Sequence, residues 1–240
     1  MKPLALKFRS KSPFLVTSRG GCGHYKENTI QGLEAAFALR PDVVEIDVRK
    51  SKDGVLFCHH GSIPFGVPFW HFSPGVSFSW IRKHFPHIPT LAEMIERIPP
   101  DTIVIFDIKD ARIRADELLS YSRRFTSVCV MGYSIKQLEA LSASLPQDYF
   151  YILGPIFGFK RKLPRIKGLA GAVALFPWDY RPKVIRAVEA AGILHDPLFA
   201  LLLPWQLERI KRRFRIFAIT ELKYIPHAHA PQSGKANAQV

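Results

Sequence analysis

Val43-Val44-Glu45-Ile46-Asp47-Val48 reads as a strand that is apolar except for two carboxylates placed two residues apart. Successive strand side chains point to opposite faces, so Glu45 and Asp47 project to one side. Val44, Ile46 and Val48 keep the apolar pattern of a core strand on the other. The β-branched run Thr102 to Ile108 ends in a comparable way, with Asp107 at its carboxyl end and Lys109 two residues on. Solvent exposure at a strand terminus, or an Asp–Lys ion pair, would account for one such ending. Two strands ending alike point to a shared mouth.

Outward from these two strands, short apolar runs alternate with helical patterns. Phe14 to Ser18 reads as a strand that breaks at Gly20-Gly21, and a helix follows from about Thr29 with Ile30, Leu33 and Phe37 on one face. After Val43 to Val48, Asp53-Gly54 turns the chain into a strand from Val55 to His60. The stretch from Gly61 to Pro89 is a long excursion rich in Pro, Gly and aromatics. Helices are expected at Leu91 to Ile98, Ala115 to Arg124, Ile135 to Leu145, Pro182 to Ala191 and Trp205 to Phe214. Strands are expected at Val128 to Tyr133, Tyr149 to Leu153, Gly171 to Phe176, around Ile193 to Leu194, and Arg215 to Thr220.

Repeated βα with roughly eight strands, in a chain of 240 residues, predicts an α/β fold. The expected form is a single-domain (β/α)8 TIM-type barrel over residues 13–225. Residues 1–12 read as a loose basic start and 226–240 as a small, polar, disordered tail in which His227 and His229 are incidental. An open doubly wound sheet is the structural alternative, but no Gly-rich dinucleotide fingerprint supports it.

Strand carboxyl ends in such a barrel converge on one mouth. If Glu45, Asp47 and Asp107 meet at about 5 Å, each like-charge pair costs roughly 3 kcal/mol at an effective dielectric of about 20. Three pairs approach the net stability of a whole domain. Protonation or a cation must relieve this, and all-oxygen ligation favours a hard ion, Mg2+ or Ca2+.

Composition narrows the partner class. A formal charge of +14 favours something anionic: a phosphorylated small molecule, an acidic lipid surface or nucleic acid. No nucleic-acid-binding module is recognisable, so that class ranks last. Three scattered cysteines, Cys22, Cys58 and Cys129, make neither a disulfide framework nor a CxxC metal site. Without a signal-peptide pattern or a run approaching ~20 apolar residues, the expectation is a cytoplasmic protein, with the periphery of a membrane as a second location. Oligomeric state is not readable.

Ser18-Arg19-Gly20, Glu27-Asn28-Thr29, Glu45-Ile46-Asp47-Val48 and Lys52-Asp53-Gly54 with His60 together resemble the signature of the glycerophosphodiester phosphodiesterase family. That family carries His-Arg-Gly, Glu-Asn-Thr, Glu-x-Asp-Val, Lys-Asp-Gly and His-Asp in the same order. Pro89-Thr90-Leu91 and Phe106-Asp107-Ile108-Lys109 resemble its Pro-Thr-Leu helix start and Glu-Ile-Lys strand end. Thr220-Glu221 faintly resembles its closing Thr-Asp. The resemblance runs from about residue 14 to 110.

It implies a divalent metal on Glu45, Asp47 and Asp107, phosphate held by Arg19 and Lys109 with Glu27 beside them, and His60 in acid–base chemistry. The implied reaction is metal-dependent hydrolysis of glycerophosphodiesters or lysophospholipid-like substrates. Three residues depart from the pattern: Ser18 for the first histidine, Gly61 for the aspartate after His60, and Asp107 for a glutamate. These departures support an alternative, a catalytically degenerate barrel that binds phosphate or a membrane surface. Loss of an acid or base costs ~10²–10⁴ in rate. His24 is a candidate stand-in. His59 and Cys58 read as structural.

Two further groups remain. Phe65, Phe69, Trp70, Phe72, Phe78 and Trp80 crowd the excursion, as a lid cluster or as an apolar wall for a lipid. Lys160-Arg161-Lys162 with Arg165 and Lys167, and Lys211-Arg212-Arg213 with Arg215, read as solvated faces that anionic headgroups would also suit.

Overall fold

The computed structural model describes residues 14–21, 26–38, 40–61, 75–197 and 218–219. Among the described residues, eight parallel strands form the sheet: β1 (Phe14–Thr17), β2 (Val43–Lys50), β4 (Ile103–Ile108), β5 (Ser127–Gly132), β6 (Phe150–Leu153), β7 (Ala172–Leu175), β8 (Leu194–Pro197) and β9 (Ala218–Ile219). Their lateral order is β8-β7-β6-β5-β4-β2-β1-β9, so the strands follow chain order and the last returns beside the first. That is the order of a (β/α)8 barrel, as expected. β3 (Leu56–Cys58) stands apart, pairing antiparallel with the end of β2, so the stretch after Asp53-Gly54 is a hairpin arm and not a barrel stave.

Between the staves lie helices α1 (Ile30–Phe37), α2 (Phe78–His84), α3 (Leu91–Glu96), α4 (Ala115–Ser122), α5 (Ile135–Ser142), α6 (Phe159–Ile166) and α7 (Pro182–Ala190). Most begin on a polar cap: Thr29, Ser77, Thr90 and Ser134 each accept a backbone N–H of the first turn through the side-chain oxygen. Thr90 and Glu93 complete a reciprocal capping box. Helices α2 and α6 were not expected from the sequence. α2 lies within the aromatic excursion, and α6 turns the first basic cluster into a helical face whose buried residues are Phe159 and Ile166.

Alternation along the strands divides the core in two. Val44, Ile46 and Val48 of β2 and Val104, Phe106 and Ile108 of β4 face the helices in one large apolar layer. Val43, Ile103, Ile105, Cys129, Phe150 and Ile152 face inward and pack with Val16 and Ala172 as an apolar floor. Each fully buried aliphatic or aromatic side chain contributes about 1.5–3 kcal/mol. Above that floor, toward the strand carboxyl ends, the inward positions become charged.

The turn after β1 is tight. Ser18–Gly20 forms one 3-10 turn, with Arg19 in the left-handed region at φ 52°. A Cβ on Gly21 would lie 2.3 Å from the Gly32 carbonyl oxygen, so α1 packs backbone to backbone against this turn.

Phe78, expected on a lid or wall, is a core residue whose ring lies 5.9 Å from that of Phe57. Trp80 is exposed. The rest of that aromatic group, His24, the helix expected at 205–214, the second basic cluster, Thr220-Glu221 and the tail lie outside the described residues. No helix among the described residues is long and apolar enough to cross a membrane.

Candidate functional site

Six register pairs lock β2 to β4, from Val43–Ile103 to Val48–Ile108, and they set Asp47 directly beside Asp107. Glu45 lies two residues back on the same face of β2. All three carboxylates are buried, at 9%, 0% and 2% exposure for Glu45, Asp47 and Asp107. Each offers an oxygen within 4.8 Å of the other two. The expected convergence is therefore present.

The oxygens divide into two sets. One from each carboxylate is hydrogen-bonded: Glu45 Oε2 accepts the Arg19 backbone N–H at 2.8 Å, and Asp47 Oδ2 accepts Asn28 Nδ2 at 2.7 Å. Asp107 Oδ2 accepts both Lys109 Nζ at 2.6 Å and the Tyr133 hydroxyl at 2.7 Å. The other oxygen of each carboxylate, Glu45 Oε1, Asp47 Oδ1 and Asp107 Oδ1, is buried and accepts no hydrogen bond. Asp47 Oδ1 has the Lys109 ammonium 3.1 Å away, an ion pair without hydrogen-bond alignment. Three buried, unsatisfied, anionic oxygens in one place form the donor set that a hard divalent cation requires.

Without an ion, burial and mutual repulsion favour the protonated forms of Glu45 and Asp107. Burial, then the charges of Asp47 and Asp107, push the Glu45 carboxyl well above the usual carboxylate range. Burial likewise lifts Asp107 to about 6, against the opposing pull of Lys109. Lys109 is itself largely buried. The desolvation that would lower its pKa is outweighed by Asp107, Asp47 and Glu45, which hold it above its ordinary value. Burial and the Asp107 charge raise Tyr133 strongly, so its phenol stays protonated and donates.

Arg19 stands at the rim. Its Nη1 lies 2.8 Å from Glu27 Oε2 while its backbone holds Glu45, so Arg19 and Glu27 form a pair beside the carboxylates. His60 follows β3. Burial lowers its pKa, with Asp47 opposing and Arg19 and Lys109 reinforcing, so the ring is neutral near pH 7 and sits in the field of the other site residues. β3 ends at Cys58, so strand alternation does not extend to His59 and His60. His59 turns Nδ1 onto the Gly61 carbonyl at 2.7 Å. Cys58 is buried, and burial pushes its thiol up, which fits a structural role.

Three residues of this neighbourhood were given no role from sequence. Asn28, in the left-handed region at φ 52°, braces Asp47 from both sides, accepting its N–H through Oδ1 at 3.2 Å as well as donating to its carboxylate. Arg49 is the third residue on the Glu45–Asp47 face of β2. Its Nε and Nη2 donate to the His59 and His60 carbonyls at 3.1 and 2.7 Å, clamping the segment that carries His60. Tyr133 extends β5 as Lys109 extends β4, and its hydroxyl contacts both Lys109 and Asp107.

Residues 19–63 match the model of the Glycerophosphoryl diester phosphodiesterase family, so the resemblance read from the motifs is borne out over that segment. No curated protein matches the chain. Solved structures match along most of its length. The glycerophosphodiester phosphodiesterase of Thermotoga maritima superposes with a TM-score of 0.71 at 19% identity, covering 88% of this chain and 95% of its own. A phosphodiesterase of Oleispira antarctica, in complex with the product sn-glycerol-3-phosphate, gives 0.71 at 16% identity, covering 89% and 94%. The glycerophosphodiester phosphodiesterase of Agrobacterium tumefaciens gives 0.62 at 18% identity, covering 87% and 96%. At such identities these likenesses establish the fold.

Proposed function

We propose that this chain hydrolyses a phosphodiester bond in glycerophosphodiesters or lysophospholipid-like substrates, with a divalent metal, Mg2+ or Ca2+, as cofactor. The observation that carries the reading is the set of three open carboxylate oxygens on Glu45, Asp47 and Asp107. The match of residues 19–63 to a phosphodiesterase family model supports it. A dication bound there would neutralise phosphoryl oxygens and favour the build-up of charge on the reacting group.

The chain's own groups supply the rest. Arg19, steadied by Glu27, presents a guanidinium fork that suits two phosphate oxygens. Lys109 adds a second fixed cation on the inner side of the site. His60, held neutral by burial, takes the proton of the attacking hydroxyl or water, or passes one to the departing oxygen. Arg49 fixes the backbone from which His60 projects. Ser18, where the family pattern has a histidine, follows β1 at the same rim and offers only a hydroxyl.

The test is incubation of the purified chain with glycerophosphocholine and with lysophospholipids, in Mg2+, Ca2+ or chelator, beside Glu45→Ala and His60→Ala. Product should depend on metal, disappear with Glu45→Ala, and fall ~10²–10⁴-fold with His60→Ala. Equal product from all three proteins, or none under any metal, would discard hydrolysis by this site. Retained phosphate binding without product would then favour the degenerate-barrel reading.

A further inference from the structure

Two of the large apolar side chains left exposed by the fold, Phe157 and Trp178, are 75% and 51% accessible. They follow different strands, Phe157 after β6 and Trp178 after β7, and Phe176 joins them. Its ring centroid lies 5.3 Å from that of Phe157 and 4.5 Å from that of Trp178, the latter pair stacked at 13°. The result is a single aromatic ridge on the carboxyl-terminal mouth of the barrel. It stands on the same side as Asp107 and Tyr133. The link is close, because a Cβ on Gly154, the first residue past β6, would lie 2.7 Å from the Tyr133 ring.

Each exposed ring has a cation tied to its own backbone. Lys162 Nζ donates to the Phe157 carbonyl at 2.9 Å, and Arg181 Nε donates to the Trp178 carbonyl at 2.8 Å. Lys160 and Arg161, one turn from Phe157 on α6, are also exposed. Asp179 is the one acidic residue within the ridge's own sequence, against this group of cations and a formal charge of +14 for the chain. Aromatic rings settle at the boundary between headgroups and acyl chains, and near-surface Lys and Arg draw a protein to anionic lipid.

We infer that the ridge of Phe157, Phe176 and Trp178, with its flanking cations, seats the barrel mouth on the surface of an anionic phospholipid bilayer. This goes beyond the hydrolytic reading and is independent of turnover. The carboxyl-terminal mouth, and with it the carboxylate site, then faces the lipid, and the bilayer itself covers the apolar surface that the fold leaves open. The aromatic excursion that suggested lipid contact from sequence is not required for it.

Vesicle sedimentation tests the inference with the full chain and vesicles that contain no glycerophosphodiester, so that a failure of hydrolysis leaves the result readable. Wild type should partition onto phosphatidylcholine vesicles doped with phosphatidylglycerol, bind pure phosphatidylcholine at least tenfold more weakly, and be released by salt. Phe157→Ser with Trp178→Ser should weaken partitioning at least tenfold while leaving the circular dichroism spectrum unchanged. Lys160→Ala with Arg161→Ala, which leaves the rings in place, should weaken it about 25-fold on anionic vesicles alone, at roughly fivefold per charge. Absence of wild-type binding at low salt would overturn the inference, as would binding by both variants equal to wild type. So would self-association that the aromatic variant abolishes in sedimentation velocity while vesicle binding persists, since the ridge would then be a protein interface.

Discussion

Asp107 gives the shortest account of how single side chains make this site. Its Oδ1 is open, while its Oδ2 is held by Lys109 and Tyr133. The two donors differ in kind. Lys109 supplies charge that a bound dication would compete with, whereas the neutral Tyr133 hydroxyl orients the carboxylate without repelling a cation. Tyr133→Phe removes one hydrogen bond to an anionic acceptor, and partners that orient metal ligands are worth ~10–100-fold in affinity. The expected outcome is divalent-metal binding weakened about tenfold by calorimetric titration, with the circular dichroism spectrum unchanged. Unaltered affinity would show that Lys109 alone sets the Asp107 geometry. Nothing in the sequence marks Tyr133 for this duty, since an aromatic at a strand end usually reads as core. Arg49 was legible in principle, because the alternation that pairs Glu45 with Asp47 puts Arg49 on the same face. Its buried position, 8% exposed, explains why a cation there needs the two carbonyl acceptors it has.

Secondary-structure elements place those residues through two devices, register and clamping. The β2–β4 ladder makes Asp47 and Asp107 neighbours, which the Glu-x-Asp and Asp-x-Lys strand endings already implied. The hairpin of β3 is different: it brings His60 back over β2, and the segment is secured there by the Arg49 fork. Arg49→Lys keeps the charge near the carboxylates but cannot match two carbonyls at once with a planar fork. It should leave metal affinity within about twofold while lowering kcat roughly ten- to a hundredfold, because small misplacements of a reacting group carry penalties of that size. Loss of metal affinity in step with kcat would place Arg49 with the carboxylates instead. The strands of the first half were legible because buried alternation forces the carboxylates onto one face. Helices α2 and α6 were not: aromatic residues blur the pattern of the first, and Pro164 with Lys160, Arg161 and Lys162 reads as a break in the second. β3 was legible as a strand entered by the Asp53-Gly54 turn, but its place outside the parallel sheet was not, because its apolar run is the same whether the pairing is parallel or antiparallel.

For the molecule as a whole, the carboxylate cluster makes stability depend jointly on pH and on a divalent ion. In the ion-free chain, burial and mutual repulsion raise Glu45 well above the ordinary carboxylate value and Asp107 to about 6. The folded state therefore binds more protons than the unfolded chain across this interval. Stability conferred by those protons is present below the unfolded carboxylate pKa and is lost as pH rises through the folded values. For Asp107 alone, at ~1.4 kcal/mol per pKa unit, the loss is on the order of 2–3 kcal/mol. A dication replaces the protons and removes the penalty, so its stabilising effect must grow as pH rises. Calorimetric melts at about pH 5 and about pH 8, each with chelator and with excess Mg2+ or Ca2+, check this. The ion should raise Tm little at the lower pH and by several degrees at the higher, at ~2–4 °C per kcal/mol for a chain of this size. An ion effect equal at both values would mean that the carboxylates are already ionised and balanced by Lys109. Glu45→Gln, which removes one charge at constant volume, should abolish most of the ion's effect while leaving the ion-free protein at the higher pH more stable than wild type. Those opposite signs are expected only if repulsion among buried carboxylates is what the cation relieves.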